Sequence, residues 1–220
     1  MKRKPSLPAP ETPPPPRARK HLTVTEWRAV LLAARRAGLR AEALVLVLYE
    51  AGLRAGEIGK LRVGYLDPKR SRLYVWRSKG SKDGWVDLSK NTLQALLAWM
   101  DSCWACPPDS TAFLFPGQPY KGRPATGLCG RMVNVIFKEL ATTAALHPML
   151  RHPHVLKHSR VQHLLEAITK ETGNPWGAVQ AIAQLVGHQT AVTTVQNYVA
   201  ALGTKEQLKV AREATARLTE

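Results

Sequence analysis

Four short patterns, in a fixed order along the 220-residue chain, hold side chains that carry charge, move protons or act as nucleophiles. In Ala51-Gly52-Leu53-Arg54-Ala55-Gly56-Glu57-Ile58, an arginine opens a helix just after a glycine stop, with a carboxylate three residues on. Arg77-Ser78-Lys79-Gly80-Ser81-Lys82 puts lysines at a hairpin tip. His154-Val155-Leu156-Lys157-His158-Ser159 starts a helix, and Leu185-Val186-Gly187-His188 precedes Tyr198 by ten residues. Each pattern alone has an ordinary structural explanation. An Arg–Glu pair at i,i+3 sits on many helix surfaces, and a histidine after a helix-ending glycine often caps free carbonyls. A tyrosine among Val195, Val199 and Leu202 is commonly core with a wet hydroxyl. Their succession in a basic chain points further. Lysine plus arginine number 32 against 16 acids, a formal charge of +16. Such a balance attracts polyanions, nucleic acid first and an anionic membrane surface second.

These residues need a scaffold, and its elements are legible. Thr23-Val24-Thr25-Glu26 is a capping box, followed by Trp27, Val30, Leu31 and Ala34 on one helical face, with Gly38 to close the helix. Residues 41–51 read as a buried helix stopped at Gly52, and a short helix from Arg54 to Leu61 follows. Arg72 to Arg77 and Gly84 to Leu88 alternate and are rich in β-formers, so with the polar link between them they form a β-hairpin. Helices are then expected at 91–101, about 128–141, 154–170, 177–186 and 191–201. The expected fold class is mainly α with a small antiparallel β-sheet (α+β).

Residues 1–20 hold seven of the 16 prolines, six basic side chains and one acid, and read as a stiff, extended arm. DNA phosphates or solvent alone are equally good surroundings for it. The folded unit is expected over 21–202, and 203–220 read as a final helix that docks on a neighbouring protomer or folds back. With 45% apolar and 22% charged residues the chain is globular. No stretch approaches eighteen apolar residues, which excludes a membrane span. Prolines stand where a signal peptide needs an apolar core, and three cysteines suit a reducing compartment. A cytoplasmic location is expected.

Taken in order, the four patterns resemble the catalytic domain of the tyrosine recombinases, the phage integrase and Xer-type family. Its motif runs Arg, Lys, His-x-x-Arg, His or Trp, and Tyr. By that resemblance Arg54, Lys79, His154, Lys157, His188 and Tyr198 form the catalytic set, and Leu114-Phe115-Pro116-Gly117 matches a family segment at a strand end. The resemblance covers about residues 22–202. It implies attack by Tyr198 on a scissile phosphate, giving a 3′-phosphotyrosine and a free 5′-hydroxyl. Arg54 and Lys157 would neutralise the phosphorane, and His154 would accept the tyrosine proton. His188 would bond a non-bridging oxygen, and Lys79 would protonate the leaving 5′-oxygen. Glu57 would anchor Arg54 or its helix. Neither cofactor nor metal is needed. Duplex DNA is the implied partner, bound by a homotetramer assembled from free monomers, and an accessory DNA-bending protein is a further expected partner. Further DNA contacts are expected from Arg77, Lys82, Arg151, His158 and Arg160.

The chain departs from the family pattern at three points. Lys157 stands where an arginine is expected, keeping charge but losing the bidentate fork. Arg160, one turn on, is at the wrong spacing to replace it. The interval from His188 to Tyr198 is one residue longer than in many members. The chain also looks like a short form without the N-terminal core-binding domain, similar to the fimbrial-switch invertases. Two rival functions stay open: a type IB topoisomerase-like nicking-closing enzyme, and a catalytically weak DNA-binding regulator. Cys103-Trp104-Ala105-Cys106 is a poor zinc site, because Cys129 leaves the set one ligand short.

Overall fold

The computed structural model describes residues 20–78, 82–104, 108–119, 125–174 and 182. The expected helices at 177–186 and 191–201, the arm before Lys20 and the tail at 203–220 lie outside the described residues, Ile182 excepted. Helix α1 (Val24–Ala37) begins with the expected capping box. The Thr23 hydroxyl accepts from the Glu26 amide, and the Glu26 carboxylate accepts from the Thr23 amide at 2.7 Å. Gly38, at φ 112°, ends it.

Helix α2 (Leu39–Glu50) is buried on every side from Ala43 to Leu48 and packs against α1, α4 (Lys90–Cys103) and α6 (His154–Thr172). A helix apolar all round belongs at the centre of a domain, and this one fixes where its own C-terminus, and hence Arg54, must lie. Helix α3 (Ala55–Ile58) is shorter than the expected 54–61, with Arg54 as its N-cap rather than its first residue. Strands β1 (Leu66–Asp67), β2 (Arg72–Val75) and β3 (Gly84–Asp87) make one antiparallel sheet in the order β1-β2-β3. The hairpin of β2 and β3 pairs Tyr74 with Trp85 and Leu73 with Val86. Strand β1, two residues long, was not anticipated from the sequence.

Helix α5 (Gly130–Thr143) packs on α3 and α1. Two glycines let the chain close up there. A Cβ on Gly127 would fall onto the Gly59 carbonyl, and one on Gly59 would lie 2.7 Å from the Leu128 carbonyl oxygen. The core runs through Leu22, Leu44, Leu48, Leu53, Ile58, Leu73, Leu96, Leu114, Phe115, Phe137 and Leu156, all fully buried. Leu114 and Phe115, from the family-like segment, are thus core residues flanked by the single bridges Arg62–Phe113 and Pro116–Gly127. Among the described residues no helix is long and apolar enough to cross a membrane, and no cluster of His, Cys, Asp and Glu could hold a metal ion.

Candidate active site

The site is built on the end of α2. The amide of Leu53 bonds the Leu48 carbonyl and that of Gly52 bonds the Tyr49 carbonyl, with Gly52 at φ 60°. This is the double closure of a left-handed glycine cap. It turns the chain sharply and delivers Arg54 to the head of α3.

Glu57 holds Arg54 in place. Its carboxylate accepts from the Arg54 amide at 2.8 Å and from the guanidinium Nη1 at 3.1 Å. The same carboxylate accepts from the amide and hydroxyl of Ser78, each at 2.8 Å, while Arg54 Nη1 donates to the Ser78 carbonyl at 2.6 Å. Glu57 is 2% exposed. Burial alone would raise its pKa. Hydrogen bonds from Arg54 and Ser78 outweigh that and hold the carboxyl below its usual value. One carboxylate therefore ties the helix that opens at Arg54 to the strand end that leads into Lys79.

Arg77 completes this frame from the other side. Its guanidinium donates to the Ala51 carbonyl at 3.0 Å and the Gly52 carbonyl at 3.5 Å, and its amide bonds Asp83 at 2.6 Å across the hairpin base. A cation at carbonyls left over by a helix end is favourable. Sequence reasoning placed Arg77 among the DNA contacts. Its use as the cap of α2 is a tertiary contact that no local spacing signals, and Ser78 was missed for the same reason.

Lys157 lies one turn into α6 and is 5% exposed. It packs across Gly52, where an added Cβ would stand 3.9 Å from Lys157 Cγ. Burial pushes the ammonium down to about 8, and repulsion from Arg54 and Arg77 adds to this while Glu57 opposes it. His154 heads the same helix. Burial, then the positive charges of Lys157, His152 and Arg54, lower its pKa below the usual imidazole value, against the opposing pull of Glu57. A neutral imidazole at pH 7 is able to accept a proton. The ring of His158 stands edge-on to that of His154, with centroids 4.5 Å apart. Burial and neighbouring positive charge push His158 down to about 4.

Helix α6 is aligned by the start of α1. The buried Ser159 hydroxyl accepts from the Leu22 amide at 2.8 Å and donates to the Val155 carbonyl. His163 faces the Leu22 carbonyl through Nε2 at 2.9 Å, so that nitrogen carries the hydrogen. Nδ1 then accepts from the Tyr49 hydroxyl at 2.7 Å. Tyr49 stacks on Trp27, ring centroids 4.0 Å apart, and burial raises its phenol above the usual range.

The structure thus brings Arg54, His154 and Lys157 together, with Arg77 and Glu57. Lys79, His188 and Tyr198 lie outside the described residues. Of the other expected contacts, Lys82 is exposed beside the hairpin tip. Arg160 lies over the Tyr49 ring, 5.5 Å from its centroid. Arg151 donates to the Leu146 carbonyl and the Thr142 hydroxyl at the end of α5.

Among the described residues, three mutually repelling cations around one glycine turn, with the Glu57 carboxylate between them already fully bonded, form a site that favours an anion. Residues 20–204 match the phage integrase family, and the chain belongs to it. The tyrosine recombinase XerC of Xanthomonas axonopodis pv. citri (strain 306) is 32% identical over 157 residues, covering 71% of this chain and 46% of that protein. XerC of Pseudomonas aeruginosa (strain LESB58) is 33% identical over 156 residues, 70% of this chain and 46% of that one. The chain spans about half the length of these curated relatives. A crystal structure of XerA recombinase is similar with a TM-score of 0.64 and 25% identity, covering 82% of this chain and 60% of that one. The Tn1549 transposon integrase, solved with circular intermediate DNA, shares the fold with a TM-score of 0.66 at 18% identity, covering 93% and 68%.

Proposed function

We propose that the chain is a site-specific DNA recombinase that cleaves and rejoins DNA through a 3′-phosphotyrosine. The observation that carries this reading is the convergence of Arg54, Arg77 and Lys157 about Gly52, beside a neutral His154. Donors aimed at charge that develops in a transition state are each worth roughly 3–4 kcal/mol. Arg54 and Lys157 fill that role toward the non-bridging oxygens of the phosphorane. His154 takes the phenol proton as the Tyr198 oxygen bonds phosphorus. The bond to the 5′-oxygen breaks and Lys79 gives that oxygen its proton, while His188 bonds a non-bridging oxygen. Attack by another 5′-hydroxyl reverses the sequence on a new strand, so the bond energy is conserved.

Duplex DNA as partner is supported by the excess of basic residues and by the Tn1549 integrase having been solved with DNA. Exchange between two duplexes calls for four protomers, assembled from monomers on DNA, with an accessory DNA-bending protein as a further partner and the cytoplasm as location. Residues 1–20 serve as a basic arm, 21–202 as the catalytic unit and 203–220 as a segment for docking on a neighbour.

The test is incubation with nicked suicide duplexes and with supercoiled plasmid. Covalent adducts confined to defined sites support the recombinase. Adducts at random sites with plasmid relaxation would assign a topoisomerase, and tight binding without any adduct a regulator.

A further inference from the structure

The outward face of the sheet carries aromatic rings that the proposed chemistry does not use. Strand β2 buries Leu73 and Val75 and turns Arg72 and Tyr74 outward, and Trp76 follows, 45% exposed. Across the hairpin, Trp85 is 47% exposed and pairs with Tyr74, while Asp87 pairs with Arg72. Tyr74 stands edge-on to three rings: Trp85 at 5.4 Å, Trp76 at 5.5 Å and Tyr65 at 6.1 Å. Arg72 lies over Trp85, 4.2 Å from its ring centroid. Rings set at steep angles to one another offer both edges and faces on this surface. An exposed aromatic patch of this kind marks a docking surface.

The sequence itself supplies a segment of matching shape. Pro5 and Pro8, Pro10 and Pro13, and Pro13 and Pro16 are three successive pairs spaced three apart. A polyproline helix has three residues per turn, so Pro10, Pro13 and Pro16 line up on one ridge, and aromatic-lined surfaces bind such a ridge with little loss of entropy. Reach is sufficient. At roughly 3.1 Å per residue, a fifteen-residue polyproline segment spans on the order of 45 Å, whereas a domain of this size has a radius of gyration of roughly 16 Å.

We infer that the proline-rich residues 5–16 dock, within the same chain, on the aromatic face formed by Tyr65, Tyr74, Trp76 and Trp85. Docking there places the arm beside the strand end that bears Arg77 and Ser78 and leads into Lys79.

The test uses the full chain and the indole N–H signals in a nitrogen–proton NMR spectrum, with Trp27→Phe, Trp76→Phe, Trp85→Phe and Trp99→Phe to assign four of them. In a variant combining Pro8→Ser, Pro10→Ser, Pro13→Ser and Pro16→Ser, the Trp76 and Trp85 signals shift while those of Trp27 and Trp99 stay in place and report an intact core. A synthetic peptide of residues 4–17 added to that variant moves the two signals back. Unchanged Trp76 and Trp85 signals would overturn the inference. So would a difference that grows with protein concentration, which assigns the occupant to a second copy. Signals that ignore the prolines but move with duplex DNA would overturn it in favour of nucleic acid.

Discussion

Lys157→Arg isolates the departure from the family pattern. The ammonium is depressed from its ordinary value near 10.5 to about 8, a bias of about 3 kcal/mol against its charged form. In the free protein roughly nine in ten Lys157 side chains are then charged at pH 7 and roughly one in ten at pH 9. If the positive charge is what meets the phosphate, the second-order rate constant for cleavage falls about tenfold between those pH values, because that constant reports the free enzyme's groups. A guanidinium stays charged throughout and offers a fork to the phosphate. Lys157→Arg therefore cleaves at least as fast at pH 7 and loses that alkaline decline, and Lys157→Ala abolishes cleavage. The assay is adduct formation at limiting DNA from pH 6.5 to 9.5. An identical decline in the parent and in Lys157→Arg would refute the reasoning, since another group would then own it. Stability carries the opposite sign. Between about pH 8 and 10.5 the unfolded chain holds a proton that the folded one has lost, so this group makes the fold more stable as pH rises through that window. Lys157→Met is expected to stabilise the DNA-free protein at pH 7 by up to about 3 kcal/mol in denaturant melts.

Arg77→Met removes one of the charges that repel Lys157. It shifts the alkaline limb of cleavage to higher pH, and lowers stability by about 2 kcal/mol as the Ala51 and Gly52 carbonyls lose their donor. A pH profile unchanged by that substitution would sever the electrostatic link. Glu57→Gln destabilises the fold by about 2 kcal/mol in chemical denaturation. The Glu57 carboxyl is held below the ordinary glutamate value, so its contribution is present above that ordinary value and drains away as pH falls through the folded one. The glutamine variant lacks that part of the acid transition. Gly127→Ala forces the backbone off Gly59 and costs about 1–3 kcal/mol, read as a lower thermal midpoint.

Where a structure is set by near neighbours, the sequence announces it. The capping box at Thr23, the apolar run that centres α2 and the glycine stop at Gly52 all depend on residues within one or two turns. The same holds for the Arg54–Glu57 pair, which is closed by a three-residue spacing. What the sequence concealed are contacts across the chain. Strand β1 exists because Leu66 and Asp67 meet Leu73 and Arg72, and two residues leave no alternation to read. The clamp of Arg77 on the end of α2 joins residues 25 and 26 positions apart. The burial of Lys157 was equally hidden. Its position follows from how α6 is seated by Leu22 on Ser159 and His163, more than a hundred residues away in sequence.

The central claim concerns a bond to one phenol. A library of nicked duplexes with randomised centres, incubated with the full chain and digested for mass spectrometry, reads it directly. The account predicts a nucleotide 3′-phosphate attached to Tyr198, absent from Tyr198→Phe and from Arg54→Ala. Duplexes bound firmly with no covalent product, or a phosphate carried by any other residue, would contradict it.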